Sequence, residues 1–365
     1  MAVQTQFTVA GRKLALSNLD KVLYPKAGFT KGQVIDYYAR ISACVLPHLK
    51  DRALTLKRYP NGVEAEFFYE KRCPDFRPPW VKTAAVWSSH KNENIRYCLA
   101  NDLATLVWAA NLADLELHTS LAKYKKPDQP TMMVFDLDPG PGATILDCAK
   151  VSIWLRDLFD RLKLKSFVKT SGSKGLQVYV PLNTTVMFDQ TKAFAHALAD
   201  EIAANRPDEV VSNMSKQLRA GKIFIDWSQN DSHKTTVCVY SLRAKEQPTV
   251  STPLKWSEVE AALKSRKAES LSFEAADVIE RAEKLGDLFA DVLKLKQKLP
   301  KLATSKANFT MVSPAPPAPP RLLAYLPEDR DTRADANCRP RSIHKSEPGK
   351  RALAATTRNG AYLPQ

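Results

Sequence analysis

The middle of the chain shows the clearest pattern of hydrophobic and polar positions. Met132–Asp138 and Leu176–Leu182 are short apolar runs that predict buried strands, and Thr144–Leu164 has apolar residues at helical spacing. The same criteria predict two further strands and one helix, at Ser166–Thr170, Lys222–Trp227 and Lys192–Asn205 respectively. The resulting order β-α-β-β-α-β predicts the split βαβ arrangement of a ferredoxin-like sheet.

The regions on either side of this sheet are mainly helical in pattern. Lys31–Leu46 predicts a helix, Ala53–Tyr59 a strand, and Leu103–His118 a strongly apolar helix that ends at its histidine. Residues 255–299 have helical periodicity and indicate C-terminal helices packed on a core. The predicted buried face of the first helix consists of Val34, Tyr37, Tyr38 and Ile41.

The last segment of the chain differs in composition from the rest. Residues 311–365 hold nine of the 24 prolines and show no helix or strand periodicity, which predicts a disordered, proline-rich tail after a folded part at 1–310. The tail carries nine Lys or Arg and five Asp or Glu, so most of the net charge of +15 belongs to the folded part. Whether the tail tethers DNA or a partner, or does neither, is left open.

The charge balance limits the class of partner. A net charge of +15 and a pI near 9.4 favour a phosphate-rich partner or an anionic membrane surface. No apolar run is long enough to span a membrane, and the first residues have neither a basic region nor an apolar region typical of a signal peptide. We therefore expect a cytoplasmic, nucleoid-associated protein without a membrane partner.

The six cysteines lie far apart and include no C-x-x-C pair. Their spacing does not favour zinc, and the cysteine usage of intracellular proteins predicts reduced thiols in the core.

Two acids on one predicted strand are the first candidates for chemistry. Asp136 and Asp138 are two residues apart, so their side chains project from the same face of the strand. Adjacent carboxylates repel each other, and a bridging divalent cation such as Mg²⁺ or Mn²⁺ relieves that repulsion. The alternative is that both acids are solvated beside the turn at Pro139–Gly140.

A third acid extends this pattern. Asp226 ends another predicted strand, and a neighbouring strand would bring its carboxylate to the same ions. Three carboxylates on adjacent strands suit a two-metal nucleotidyl transfer, in which the ions stabilise the attacking and the leaving oxygens. The alternative is that Asp226 caps its strand by binding Ser228 or Asn230.

Basic residues, glycines and aromatic residues form further candidate sites. The turn Thr170–Gly175 offers backbone N–H groups and Lys174 to an anion, although most such turns are ordinary hairpins, and it is not a Walker loop. Lys57 and Arg58 precede Tyr59, and Phe67 and Phe68 stand next to further aromatic and basic residues, a combination typical of nucleic-acid binding. One of the two phenylalanines is expected to be exposed, with a strand buried on both sides as the alternative. His118 is either a functional histidine or one satisfied at a helix end.

Taken together, these segments resemble the polymerase domain of bacterial DNA ligase D, a member of the archaeo-eukaryotic primase superfamily that acts in non-homologous end joining. The resemblance covers about residues 7–300. It rests on these motifs: Leu16–Pro25, Gly28–Lys31, Phe135–Pro139, Thr170–Leu176, Asp226–Asn230, Lys234–Thr236 and Tyr240–Arg243.

The resemblance implies an α/β fold in which an RRM-like catalytic sheet of the primase type, at 131–250, merges with an N-terminal α/β module at 1–130 and C-terminal helices at 251–310. It implies a template-directed polymerase that extends 3′ ends at breaks and short gaps, prefers ribonucleotides, and uses two Mn²⁺ or Mg²⁺ ions and a nucleoside triphosphate.

The resemblance also assigns roles to individual residues. The metal ligands and catalytic residues would be Asp136, Asp138 and Asp226. The nucleotide-binding residues would be His118, Ser171, Lys174, Gln177 and Arg243. The pocket for the 5′ phosphate of DNA would be Asn18, Lys21 and Lys31, a set suited to a phosphate dianion. The template contacts would be Lys57, Arg58, Phe67 and Phe68.

Two differences from the family pattern affect the functional hypothesis. The family motif S-G-x-x-G-x-H ends in histidine, whereas this chain has Gln177, which predicts slower polymerisation because an amide carries no positive charge. The chain also has no K-x-D-G ligase motif, so we expect it to rely on a separate DNA ligase and an end-binding protein. The alternative function is a weakly catalytic or non-catalytic module that binds and bridges 5′-phosphorylated DNA ends.

Overall fold

The computed structural model describes residues 4–88 and 91–300, so the predicted tail at 311–365 and the boundary at residue 310 lie outside the described residues. The strands are β1 (Gln4–Val9), β2 (Arg12–Ser17), β3 (Val22–Tyr24), β4 (Phe29–Thr30), β5 (Leu54–Arg58), β6 (Phe68–Glu70), β7 (Thr83–Ser88), β8 (Glu93–Cys98), β9 (Asp114–Thr119), β10 (Met132–Pro139), β11 (Phe167–Thr170), β12 (Leu176–Pro181), β13 (Val210–Val211), β14 (Ile223–Asp226), β15 (Thr236–Val237) and β16 (Pro253–Leu254). The α-helices are α1 (Lys31–Arg40), α2 (Ser42–Leu49), α3 (Leu103–Asn111), α4 (Ile145–Arg161), α5 (Phe188–Asn205), α6 (Trp256–Ser265) and α7 (Ala275–Leu285).

One sheet has the order β13-β14-β10-β12-β11-β16. Its four central strands are β14, β10, β12 and β11, which are the fourth, first, third and second of this group along the chain. Neighbouring strands among the four pair antiparallel. Helix α4 connects the first to the second strand and α5 precedes the last. The predicted split βαβ arrangement is confirmed.

The side chains of strand β10 alternate between the two faces of this sheet. Met133, Phe135 and Leu137 are fully buried and belong to the same core cluster as the apolar residues of α4 and α5. The alternate residues Asp136 and Asp138 therefore project from the opposite face, which α4 and α5 do not cover. The apolar residues of α4 and α5 thus bury one face of the sheet, and the polar side chains of β10 lie on the other face.

The N-terminal part forms a second sheet of order β15-β9-β5-β8-β7, with β6 paired to β5. Strand β15 follows β14 in sequence and pairs with β9 of the N-terminal part. Val134 and Tyr179 of the first sheet belong to the core cluster of the N-terminal part. The face of the first sheet that carries Asp136 and Asp138 therefore lies against the N-terminal sheet, and the chain between β14 and β16 connects the two sheets.

Two helix predictions need correction. The predicted helix Leu103–His118 ends at Asn111, Ala113 has a φ of 58°, and the chain continues as β9, so His118 lies on a strand. The predicted helix Lys31–Leu46 is two helices that meet at Ile41. Its expected buried face is confirmed, because Val34, Tyr37, Tyr38 and Ile41 are all fully buried.

The C-terminal helices α6 and α7 confirm the periodicity seen between residues 255 and 299. None of the helices in the described ranges is long and apolar enough to cross a membrane.

The expectation of six reduced cysteines is wrong for one pair. Cys73 and Cys98 form a disulfide that joins the segment after β6 to the end of β8, and both residues are buried. Cys44, Cys148 and Cys238 are free thiols. The pair is 25 residues apart, and the pairing of β5 with both β6 and β8 brings the two together. Such a contact depends on tertiary structure, which the cysteine spacing does not show.

Candidate active site

A row of four polar residues crosses the open face of the first sheet. Asp136 lies directly opposite Asp226 of β14 on one side and Gln177 of β12 on the other. Gln177 in turn lies opposite Lys169 of β11. Because directly opposed residues point to the same face, the register places two acids, an amide and an ammonium group in line.

The three predicted metal ligands come together from two adjacent strands, but their side chains do not converge on one point. Asp226 Oδ1 accepts hydrogen bonds from the backbone N–H (3.0 Å) and hydroxyl (2.5 Å) of Ser228, and its Oδ2 accepts one from Gln229 Nε2 (2.9 Å). Among residues 4–88 and 91–300, no three His, Cys, Asp or Glu side chains are close enough to hold one ion. The capping contact with Ser228 that the sequence left as an alternative is therefore present.

The donor chemistry of this row nevertheless fits a divalent cation. Burial and the nearby charge of Asp138 raise the pKa of Asp136 to about 7. Burial and Asp226 raise the pKa of Asp138 as well, while Arg219 partly opposes this shift. Three hard oxygen donors that repel one another are the groups that Mg²⁺ or Mn²⁺ binds in proteins.

Lys169 is a buried cation behind these acids. It is fully buried, and burial lowers its pKa to about 7 even though the charge of Asp136 opposes that shift. Its Nζ donates to Ser251 Oγ (2.5 Å) and lies 5.6 Å from the centre of the Tyr179 ring. Sequence reasoning missed this residue, although a lysine inside an otherwise apolar strand was a visible signal.

The Gln177 side chain is buried and contacts Asp136. The residue is 3% exposed, and its amide hydrogen-bonds Asp136 and helps to keep that carboxylate charged. Tyr179 donates its hydroxyl to Gln177 Oε1 (3.3 Å), which leaves the amide NH₂ for the carboxylate. The geometry thus places Gln177 next to a predicted metal ligand.

The glycine-rich turn between β11 and β12 is built around the hydroxyl of Ser171. Ser171 Oγ accepts from the backbone N–H groups of Ser173 and Gly175, both at 3.2 Å. Gly172 has a φ of 67°, and a Cβ there would lie 2.6 Å from the backbone of Val250. Lys174, at the tip, is exposed. The exposed cation of this turn is therefore Lys174, while the backbone N–H groups of Ser173 and Gly175 are already bonded within the turn.

Glu116 is a buried carboxylate that the sequence analysis missed. It is 1% exposed, and its Oε2 lies 3.0 Å from His118 Nε2, 3.2 Å from Lys57 Nζ and 3.3 Å from Arg243 Nε. Burial alone would raise the pKa of Glu116, but the His118 hydrogen bond and the Arg243 charge lower it below the usual range. Arg243 also donates to the carbonyl of Ser171. Glu116 therefore connects His118 and Arg243 with Lys57.

The sequence contains a signal for Glu116 that the helix prediction obscured. Asp114, Glu116 and His118 alternate with Leu115 and Leu117, which is strand periodicity.

The three predicted 5′-phosphate residues lie together at the start of α1. The backbone N–H of Lys31 donates to the carbonyl of Lys21 (2.8 Å), and that of Lys21 to the carbonyl of Asn18 (3.1 Å). Lys31 Nζ donates to the Ser17 carbonyl (2.7 Å). Burial and the charges of Lys21 and Arg58 lower the pKa of Lys31 to about 8. Cations that repel one another in this way favour a bound anion.

The predicted template residues form an aromatic cluster with two paired cations. Phe67 is 48% exposed and Phe68 is 43% exposed, so both, rather than one, face solvent. Lys57 Nζ lies 4.5 Å from the Phe67 ring centre, and Arg58 Cζ lies 4.9 Å from that of Phe68. Lys57 pairs with Glu116 (3.2 Å), and Arg58 pairs with Glu70 (2.8 Å).

A cleft of about 340 Å³ collects most of the predicted nucleotide-binding residues. It is lined by Asp136, Asp138, Ser171, Lys174, Gln177, Arg219, Arg243 and Lys245, among others. Asp226, His118 and the phosphate pocket are outside this lining, and Arg219 and Lys245 are additional cations that were not predicted from the sequence.

A family model for the LigD primase-polymerase domain matches residues 30–289. Among solved structures, the polymerase domain of Mycobacterium tuberculosis Ligase D in complex with DNA is similar, with a TM-score of 0.71 and 37% identity over 77% of this chain and 98% of that chain. Among curated proteins, the multifunctional non-homologous end joining protein LigD of Mycolicibacterium smegmatis is 38% identical over 278 residues, and the bifunctional LigD of Bacillus subtilis is 32% identical over 252 residues.

The fold and the comparisons define a primase-polymerase, a template-dependent nucleotidyltransferase that uses a divalent metal and nucleoside triphosphates. The chain belongs to the family of LigD primase-polymerase domains. It spans 35% of the length of the M. smegmatis protein and 40% of that of B. subtilis.

Proposed function

We propose that this chain extends 3′ ends at DNA breaks and short gaps during end joining, on a DNA template and with a preference for ribonucleotides. The observation that carries the proposal is the pairing of Asp136 with Asp226 across β10 and β14, beside a cleft in which Asp136 and Asp138 are the acids among the described lining residues and the other charged residues are cationic. The similar M. tuberculosis domain is described in complex with DNA, and the similar curated proteins are named for end joining.

The acids form the catalytic centre in this proposal. Divalent ions held by Asp136, Asp138 and Asp226, Mn²⁺ by preference, would stabilise negative charge on the attacking and leaving oxygens. Gln177 holds Asp136 in position through its amide. Lys234 Nζ lies 4.0 Å from Asp226 Oδ2 and donates to the hydroxyl of Ser228. These contacts fix the carboxylates before substrate binds.

The cationic side of the cleft binds the triphosphate. Lys174 and Arg243 offer charge, and Ser171 holds the turn in the conformation that presents it. Cations aimed at the leaving phosphates lower the barrier because they stabilise the charge that develops there. Glu116 contacts both Arg243 and His118 through its Oε2 and so holds the two side chains in position.

The phosphate pocket and the aromatic cluster select the DNA. Asn18, Lys21 and Lys31 would hold a 5′ phosphate across a gap, and Phe67 and Phe68 would stack on template bases next to Arg58. A separate ligase would then seal the product and an end-binding protein would recruit the chain to breaks. We place this activity in the cytoplasm, at the nucleoid.

The second candidate function is a weakly catalytic module that binds and bridges 5′-phosphorylated ends. The observation that favours it is the hydrogen bonding of both Asp226 oxygens to neighbouring side chains and backbone, together with Gln177 in place of the family histidine.

Pyrophosphate release separates the two functions. The protein is mixed with 5′-phosphorylated gapped DNA, Mn²⁺ and either ribonucleotides or deoxynucleotides. If the protein is a polymerase, pyrophosphate release should require a nucleotide that pairs with the template, should be faster with ribonucleotides and should depend on Mn²⁺. Tight DNA binding without release supports the bridging module, and equal release with both sugars contradicts the ribonucleotide preference alone.

A further inference from the structure

Asp114, the first residue of β9, is a fully buried acid that has no role in the steps described above. Its Oδ1 accepts the backbone N–H of Lys57 (2.7 Å), while its Oδ2 has no hydrogen-bond partner within residues 4–88 and 91–300. Burial raises the pKa of Asp114 well above its usual range, and the Lys57 N–H and the charge of Arg58 oppose this shift. Burying a polar group of this kind is costly, and its hydrogen bond goes to a residue of the predicted template site.

The hydrogen bond from Lys57 to Asp114 lies at an irregularity in the pairing of β5 with β9. Lys57 lies opposite Glu116 and Arg58 lies opposite Asp114, so the intervening Leu115 has no partner on β5. An extra residue of this kind is a β-bulge, which interrupts the ladder hydrogen bonds and redirects nearby side chains. The carboxyl group of Asp114 therefore binds a backbone donor at the point where the ladder is interrupted.

Two further hydrogen bonds fasten the same stretch of β5. Arg58 Nε donates to the carbonyl of Leu112 (3.0 Å), and the backbone N–H of Tyr59 donates to the carbonyl of Ala113 (2.8 Å). The three residues that follow α3 thus each bind one of the three consecutive residues 57–59. Residues 112 and 113 contribute backbone carbonyls to these bonds, whereas Asp114 contributes its side chain. The Asp114 bond is therefore the one that a substitution can remove.

The fastened stretch carries the two cations that contact the exposed phenylalanines. Lys57 and Arg58 are consecutive, so their side chains leave β5 on opposite sides. Lys57 Nζ lies 4.5 Å from the ring centre of Phe67, and Arg58 Cζ lies 4.9 Å from that of Phe68. A cation held against a ring face restrains the orientation of that ring. We infer that Asp114 is a positioning residue of the template site, which fixes the bulge and so orients Phe67 and Phe68 for stacking on template bases. This role of Asp114 rests on the proposed function.

Binding of gapped DNA with and without template bases tests this role. Two fluorescent gapped duplexes, one with normal bases and one with abasic sites in the single-stranded template, are titrated with the full chain. The wild type should bind the abasic duplex about tenfold more weakly, because base stacking is lost. Asp114→Val removes the acceptor but suits a buried strand, and it should bind both duplexes about as weakly as the wild type binds the abasic one. Asp114→Asn keeps an oxygen that accepts the N–H and should resemble the wild type.

Reference and control variants separate positioning from loss of stability. Phe67→Ala/Phe68→Ala removes both rings, and adding Asp114→Val to it should change the affinity for either duplex by less than about twofold. Asp102→Ala removes another carboxylate that accepts a backbone N–H, that of Thr105 (2.9 Å), at the start of α3. This control should lower the unfolding temperature and leave the affinity ratio between the two duplexes unchanged. Thermal unfolding shows which variants are folded, and Asp114→Ala takes the place of Asp114→Val if the valine variant is not.

Three results would contradict the positioning role. A folded Asp114→Val that keeps the wild-type affinity ratio would show that Asp114 only stabilises the fold. Loss of that ratio in Asp114→Asn would show that the accepting oxygen is not what matters. A wild type that binds both duplexes equally would have no stacking for Asp114 to support.

Primer extension, measured separately, distinguishes this role from the proposed activity. If the wild type favours the duplex with bases and Asp114→Val does not, but the wild type extends no primer, the positioning role holds and the polymerase activity fails. If the wild type extends primers and Asp114→Val keeps the wild-type affinity ratio, the activity holds and the positioning role fails.

Discussion

Asp136 lies directly opposite Asp226 across the antiparallel strands β10 and β14. A shift of one residue in this register would turn Asp226 toward the buried face under α4 and α5, because side chains alternate along a strand. The register is determined by the apolar residues between the acids, such as Leu137 and Ile225, which are both fully buried. Packing of the core therefore places two like charges side by side.

Metal binding should stabilise the protein through these acids. The thermal unfolding temperature should rise on addition of Mn²⁺ because ion binding to the folded state removes the repulsion between carboxylates. Asp136→Asn/Asp138→Asn should remove this increase. Differential scanning calorimetry with and without EDTA measures it, and an increase that is the same in the double variant would exclude these acids as ligands.

Glu116 should be important for both stability and nucleotide binding. Glu116→Gln leaves Arg243 and Lys57 without their buried counter-charge, so the free energy of unfolding should fall by about 3 kcal/mol. The KM for nucleotide should rise at the same time because Arg243 loses the carboxylate that holds its guanidinium in position. Glu93→Gln breaks an exposed pair with Arg72 and should cost less than about 1 kcal/mol. Urea unfolding and steady-state kinetics compare the two, and similar effects would show that Glu116 has no special role.

Gln177 should limit the rate of nucleotide incorporation. Gln177→His restores the residue of the family motif beside Asp136, and the imidazole adds a cation that can approach the triphosphate. We expect faster single-nucleotide incorporation and a lower KM, while Gln177→Ala should be slower than the wild type because Asp136 loses its amide partner. Tyr179→Phe, which removes the contact that orients the amide, should lie between wild type and Gln177→Ala. Unchanged single-turnover rates in Gln177→His would refute this.

The selectivity for a 5′ phosphate should depend on pH through Lys31. With a pKa of about 8, about nine-tenths of the Lys31 ammonium is charged at pH 7 and about a tenth at pH 9. The preference for 5′-phosphorylated over 5′-hydroxyl gapped DNA should therefore fall as pH rises through 8. Lys31→Arg should keep its preference across this range, because the guanidinium does not lose its proton. Fluorescence anisotropy measures both, and a pH dependence unchanged by Lys31→Arg would point to another group.

Local pattern predicted the acid-bearing strands and the helices that cover the other face. Asp136, Asp138 and Asp226 were recognisable because each acid follows an apolar run of strand type. Glu116 was not, because the apolar helix pattern continues through Leu112 and Ala113, and the chain turns only at the positive φ of Ala113.

Other features depend on contacts between distant segments. The disulfide of Cys73 with Cys98 and the burial of Lys169 follow from how strands pair and how the sheets pack. Such contacts leave no periodic signal in the sequence.

The most direct test of the account is extension of a labelled primer on gapped DNA with a 5′ phosphate and Mn²⁺, comparing the wild type with Asp136→Ala/Asp138→Ala. Asp160→Ala/Asp208→Ala, which removes two exposed acids outside the cleft, serves as the matched control. The wild type and the control should extend the primer, while the catalytic double variant should bind the same DNA and extend nothing. Extension by the Asp136→Ala/Asp138→Ala protein, or no extension by a wild type that binds the DNA, would contradict it.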